Sequence, residues 1–210
     1  MLHCVTIDTI HHFSGNLVAA QARLRHTSIV QRQAWDMPTT RGMEFDQYDN
    51  LASIYLVWAD KRGVAHGVSR LYPTTLPYML EQVFGDLVTK HPLPKSETSL
   101  EGSRFCINKD LPREERKRIA AEIVLGYLEY GLAQNIKEII GVMFPIYWRN
   151  LFEMNGWPIS PLGPVMRLPD GHKVMAGGVT ISAENLANVR RVTGITSSVL
   201  QQPYEEAKAA

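Results

Sequence analysis

Alternating apolar and polar positions rich in β-branched residues predict strands at residues 2–7, 52–59, 64–72 and 99–107. In an extended chain, successive side chains point to opposite faces. Elsewhere the spacing turns helical. Leu17, Ala20 and Leu24 recur at helical intervals behind Ser14, which is placed to cap, and predict a helix running to about Gln33. The clearest helix follows Asp110 as cap and Pro112 in its first turn, with Ile119, Ile123, Tyr127 and Leu128 on one face. Asp60-Lys61-Arg62-Gly63 suits a hairpin between two of the strands. The remaining pattern predicts a short amphipathic piece at 79–84, a strand at 138–144 and a helix at 147–155 stopped by Asn155-Gly156. Short strands between 157 and 181 and a last helix at 183–191 follow. Residues 34–50 keep neither period. They hold Pro38, Gly42 and two aspartates, and read as a long loop ordered by Trp35, Met37, Met43, Phe45 and Tyr48.

Strands alternate with helices, yet two early strands share a hairpin. The expected fold is therefore α/β (α+β), a mixed and mostly antiparallel sheet flanked by helices. No repeat or linker interrupts it, so residues 1–210 read as one domain, with 198–210 a loose tail. The 45% hydrophobic content is enough for a substantial core. A net charge of only +1 argues against a nucleic-acid partner. Cys4 and Cys106 sit in separate apolar runs without metal-ligand spacing, as reduced, buried thiols do. No stretch approaches the roughly 20 apolar residues of a membrane helix, and no basic segment leads into an apolar one at the start. A cytoplasmic protein without membrane insertion is expected. Glycine-rich nucleotide loops, GxSxG and HExxH are missing, and neither a metal nor a cofactor is expected. Asp46 and Asp49 could be read as a divalent-metal pair, but no further oxygen ligands cluster near them in the sequence.

What remains is charge set among apolar neighbours. Arg25 lies in RLRHTSIV, Trp35 with Glu44, Asp46 and Asp49 in AWDMPTTRGMEFDQYD, Arg70 in VSRLYP, and Glu101 with Arg104 in EGSRFCI. A charge beside a buried strand needs a partner or a task. These residues either pin the long loop to the sheet through salt bridges or build a substrate site. In order and spacing, Arg25, Trp35, Asp46, Asp49, Arg70, Glu101, Arg104 and Phe105 resemble the LuxI-type family of acyl-homoserine lactone synthases. That pattern has an arginine late in the first helix, a tryptophan about ten residues on, and two aspartates three apart. An arginine on a middle strand and then Glu-x-x-Arg-Phe complete it. Ile29 stands where the family usually has phenylalanine.

The resemblance implies a fold like that of GCN5-related acyltransferases and a two-step reaction that makes a quorum-sensing signal. The amine of S-adenosylmethionine attacks an acyl thioester. The methionyl carboxylate then closes the lactone and expels methylthioadenosine. Both reactants are substrates, so no cofactor is implied. The implied S-adenosylmethionine site is Arg25, Ile29, Trp35, Asp46, Asp49, Arg70, Arg104 and Phe105. Glu101, Arg104 and Arg70 are the implied catalytic residues. The amine must be neutral to attack, so Glu101 is a candidate general base, or else it pairs with an arginine and holds the site together. Arg70 or Arg104 would grip the substrate carboxylate. Trp35 would cover the nucleoside or anchor the loop. Val142, Met143, Phe144, Tyr147 and Trp148 form either plain core or a crowded acyl pocket. RLYPTTLP and GWPISPLG resemble the subgroup that uses branched or aryl acyl-CoA. The donor is acyl-CoA or acyl carrier protein. Arg113, Arg116, Lys117 and Arg118 would steer an acidic carrier, but Glu114 and Glu115 dilute them. The alternative is an acetyl-CoA-type N-acyltransferase of the same superfamily, which would carry a glycine-rich loop where this chain has INKDLPREERKR.

Overall fold

The computed structural model describes residues 1–12, 16–33 and 36–201; the expected cap Ser14 and the site residue Trp35 lie outside them. In chain order the elements are β1 (Leu2–Val5), α1 (Leu17–Arg25), β2 (Thr39–Thr40), β3 (Met43–Glu44), β4 (Ile54–Ala59), β5 (Ala65–Pro73), α2 (Met79–Val83) and β6 (Ser99–Ile107). They continue with α3 (Arg113–Ala133), β7 (Glu138–Met143), α4 (Pro145–Tyr147), β8 (Ser160–Pro161), β9 (Met166–Arg167), β10 (Lys173–Thr180), α5 (Ala183–Thr193) and β11 (Leu200–Gln201). Wider π-turns prolong α1 through His26–Gln31 and α4 through Trp148–Phe152. The chain forms two compact units, whose boundaries fall within β5, β6 and α3. The first is Met1–Leu71 and Arg104–Gly126 with the described residues from Ser198 on; the second is Tyr72–Ser103 and Tyr127–Ser197.

In the first unit β1 runs antiparallel to β4, from Leu2 opposite Trp58 to Val5 opposite Tyr55. β4 runs antiparallel to β5. The predicted hairpin between them forms. Asp60 Oδ1 accepts from the N–H groups of Arg62 and Val64, and Gly63 takes the left-handed φ of 78° that favours glycine. Val5, Leu17, Leu24, Ile29, Tyr55, Val57 and Val68 pack into one core. The predicted apolar face of α3 meets β5 at Gly67, where an added Cβ would lie 2.6 Å from an Ile119 methyl and 2.8 Å from an Ile123 methyl.

Local details depart from expectation here. Asn16 caps α1, its side-chain oxygen accepting from Ala19 N at 2.9 Å. Asp110 lies in a turn ahead of α3, with its own N–H bonded to Asn108, and Arg116 N donates to Pro112 O instead. The supposed loop contains the β2–β3 hairpin, turning at Arg41 and Gly42 with φ of 50° and 70°. The supposed tail contributes β11, which pairs parallel with β1, Leu200 beside Leu2. A long-range strand pairing outweighs the freedom of a chain end there.

In the second unit β6 and β7 pair in parallel over four residues each, ending at Gly102 opposite Gly141. β7 runs antiparallel to β10, which also carries β8 and β9. Gly156, at φ 84°, stops the helical stretch after Asn155 as predicted. Ser182 caps α5 through its hydroxyl, and Gly194 ends it in the left-handed region. Taken unit by unit, the strands form a mixed, mostly antiparallel sheet with helices against it. Cys4 and Cys106 are buried free thiols, and burial pushes them up to about 12 and about 11. No described helix is long and apolar enough to cross a membrane.

Candidate active site

The first unit gathers Arg25, Asp46, Asp49, Arg70 and Arg104, and adds Glu44, a residue the implied site leaves out. Arg25, at the end of α1, donates from Nε to Glu44 Oε2 at 2.5 Å and from both terminal nitrogens to Asp49 at 2.7 and 2.8 Å. Arg70, on β5, forks onto Asp46 at 2.5 and 3.0 Å and also lies 3.0 Å from Asp49. Arg104 reaches Glu44 at 3.1 Å and Asp46 at 2.6 Å. Each carboxylate thus joins two arginines, and the six side chains close a ring with formal charges of three plus and three minus. Lone buried ions are costly, and only full pairing makes such burial tolerable.

The ring is tied to its surroundings. Tyr55 OH donates to Asp49 at 2.7 Å, and Asp46 N to Asp49 at 2.8 Å. Tyr48 N donates to Asp46 at 2.9 Å, and the Tyr48 ring lies under the Arg70 guanidinium. Gln21 Oε1, one helical turn before Arg25, accepts from it at 3.3 Å. Arg104 holds φ at 55°, a backbone state unfavourable for a side-chain-bearing residue, and its two ion pairs offset that strain. The side chains of Arg25, Glu44 and Arg70 are 0% exposed, against 10% for Asp46 and 5% for Arg104, so the ring meets solvent at the Asp46–Arg104 edge. Among the described residues no group of three His, Cys, Asp or Glu side chains is gathered to hold a metal ion. Ile29 is buried in the core of this unit, and Phe105 is half-buried.

Burial alone would raise the Asp49 carboxyl. The bond from Arg25, the charges of Arg70 and Arg25, and the Asp46 N–H outweigh it and hold the group well below the usual carboxylate range. A group depressed in the folded state stabilises it above its unfolded pKa, about 3.9, and loses that contribution as pH falls toward the folded value. Urea unfolding of wild type and Asp49→Asn should therefore differ most above about pH 5, and the gap should begin to close only as pH falls below about 4. A gap that stays constant with pH would refute this.

In the second unit Glu101 is fully buried on β6. Its carboxylate accepts from Met79 N at 3.1 Å and from Leu80 N at 2.5 Å. The acyl-pocket candidates divide. Val142, Met143 and Phe144 are half-buried, Tyr147 is exposed, and Trp148 is enclosed, with its indole N–H donating to Met175 O at 2.9 Å. Phe144 stacks on Tyr147 and on His172. The Trp148 ring lies on Gly177, where a Cβ would sit 3.0 Å from two of its carbons.

A family model described as autoinducer synthase matches residues 12–189. An acyl-homoserine-lactone synthase of Ralstonia solanacearum is 36% identical over 188 residues, 85% of this chain and 91% of that protein. Isovaleryl-homoserine lactone synthase of Bradyrhizobium diazoefficiens is 28% identical over 202 residues, 96% of this chain and 89% of that protein. The solved structure of BjaI, a CoA-dependent acyl-homoserine lactone synthase, with SAM and isopentyl-CoA, superposes with a TM-score of 0.85 at 27% identity and covers 100% of this chain and 97% of that one. The family match takes in the whole arginine–carboxylate ring, Glu101 and the 142–148 segment, and the chain belongs to the autoinducer synthase family of acyl-homoserine-lactone synthases.

Proposed function

We propose that the protein takes a short branched acyl group from a CoA thioester, and that the ring of the first unit holds S-adenosylmethionine. The observation that carries the site is the ring itself. It is neutral as a whole, yet its most open member is a carboxylate, Asp46. A substrate with a sulfonium suits that edge, and its carboxylate suits the neighbouring Arg104. Asp49, enclosed by two arginines and Tyr55, orients the ring without meeting the amine. A carboxylate touching the amine would keep it protonated and oppose attack. The choice of donor and acyl group rests on the likeness to a CoA-dependent synthase solved with isopentyl-CoA, and on the bulky 142–148 segment.

In the first step the amine nitrogen attacks the thioester carbon, the C–S bond breaks, and the thiolate takes up the proton the amine gives away. Backbone N–H groups of residues 103–105 are the proposed donors to the developing oxyanion. In the second, a carboxylate oxygen attacks the γ-carbon and the C–S⁺ bond breaks, releasing neutral methylthioadenosine. The sulfonium is already a good leaving group. The proposed setting is the cytoplasm, where both substrates are available.

Mass spectrometry of purified protein with S-adenosylmethionine and a panel of acyl-CoA and acyl-carrier-protein thioesters tests this. The expected products are a branched short-chain acyl-homoserine lactone and methylthioadenosine, with CoA the better donor. Preference for the carrier protein would reverse the donor assignment, and acyl transfer without methylthioadenosine release would favour a plain N-acyltransferase. The acyl pocket has its own test. Trp148→Phe removes part of the indole over Gly177 and should raise use of octanoyl over isovaleryl thioesters about tenfold, roughly the value of one or two methylenes in an apolar pocket. An unchanged ranking in a folded variant would show Trp148 to be ordinary core.

A further inference from the structure

Sequence leaves Glu101 two roles, a general base or a group that holds the site together. The contacts of its carboxylate point to a third. α2 is five residues long, and its N-cap residue, Tyr78, gives it no side-chain cap. The first N–H groups of a helix have no partner inside the helix. In α2 two of them, on Met79 and Leu80, are met by Glu101 from another strand, one by each carboxylate oxygen. Glu101 and Leu80 are both fully buried, so water does not replace these bonds. The segment around α2 is fastened elsewhere too. Thr74 Oγ1 donates to Ser96 O and Ser99 O, and Tyr78 OH to Pro94 O. These ties lie at the start of β6 or before it. The Glu101 tie lies further along, one residue short of Gly102, where pairing with β7 ends.

We infer that Glu101 is a positioning residue: its carboxylate locks the first turn of α2 to β6 beside the point where β6 leaves β7, and so fixes the strand segment that follows. Both oxygens are committed as acceptors to backbone N–H groups, and that bonding requires the carboxylate's length as much as its charge. This rests on the lactone-synthase reading, in which the residues after Gly102 face the thioester.

The two roles predict opposite rankings of conservative variants. Glu101→Gln keeps the side-chain length and one acceptor oxygen but cannot take a proton. Glu101→Asp keeps the carboxylate but falls one methylene short of α2. A positioning residue makes Glu101→Gln the more active of the two. Its kcat should fall less than about tenfold and its KM for the acyl thioester should rise several-fold, while the pH midpoints of kcat stay at the wild-type values. A general base makes Glu101→Asp the more active, removes one limb of the pH profile in Glu101→Gln, and costs about 10²–10⁴-fold in kcat. That ranking would overturn the inference. So would a third result, in which both variants melt at lower temperature while kcat and KM stay at wild-type values, since the tie would then have no bearing on the reaction. Wild-type enzyme in the same assay reports lactone and methylthioadenosine independently, so failure of the functional reading is seen separately.

Discussion

Replacing Glu44 by Gln should destabilise the protein by about 3 kcal/mol, at the lower end of what losing one partner of a buried ion pair costs. Glu44 is the carboxylate shared by Arg25 and Arg104, and neither it nor Arg25 is exposed to any extent. The glutamine has nearly the same shape, so packing is preserved and the change is almost purely one of charge. The ring goes from neutral to one excess positive charge, held where water cannot reach it. Arg25 keeps Asp49, and Arg104 keeps Asp46, so the loss is less than that of a lone pair left bare. Urea unfolding at neutral pH measures it. Pairing the change with Arg104→Gln restores neutrality, and the double variant should be more stable than the sum of the two single losses. Additive losses would mean that the ring is a set of independent pairs rather than one charge-balanced unit.

Glu44 also shows what could and could not be read along the chain. Arg25, Asp46, Asp49, Arg70 and Arg104 were legible because each is a charge in an apolar stretch and their order forms a family pattern. Glu44 stands out as a charge in the same stretch, but it is no part of the family pattern and so falls outside the implied substrate site. A count of charges assigns it to the site, since three arginines facing two aspartates call for another carboxylate. The main strands and the long helix were legible because their periods run for six residues or more. β2, β3 and β11 are two residues long, too short for any period to register. The partner of β11 lies at the opposite end of the sequence, and the bond of Glu101 to α2 spans 21 and 22 residues without a local mark. Caps misled for a related reason. Asp110 is a good capping residue by type, but the first helical bond runs from Arg116 N to Pro112 O, so Asp110 lies in the turn before the helix begins at Arg113.

Asp46→Asn separates function from stability. Asp46 is the ring member most open to solvent, and both its arginines have a second carboxylate, Asp49 for Arg70 and Glu44 for Arg104. Water can solvate part of the imbalance, so the stability cost should be about 1–2 kcal/mol, below that of Glu44→Gln. The catalytic cost should be larger. If the cationic substrate docks at this edge, the variant loses the one accessible negative charge that offsets it, and Arg70 and Arg104 are left to repel it. Close charge pairs in a poorly solvated site are worth about 2–3 kcal/mol, so kcat/KM for S-adenosylmethionine should fall about 30- to 150-fold. The loss should appear chiefly in KM for S-adenosylmethionine, with KM for the acyl thioester little changed, because Asp46 lies in the unit that carries the ring and not among the residues proposed for the acyl pocket. Steady-state kinetics with each substrate varied in turn, on protein shown by melting to be folded, decides the matter. Equal losses for both substrates would make Asp46 a structural brace, and wild-type kinetics would place S-adenosylmethionine elsewhere.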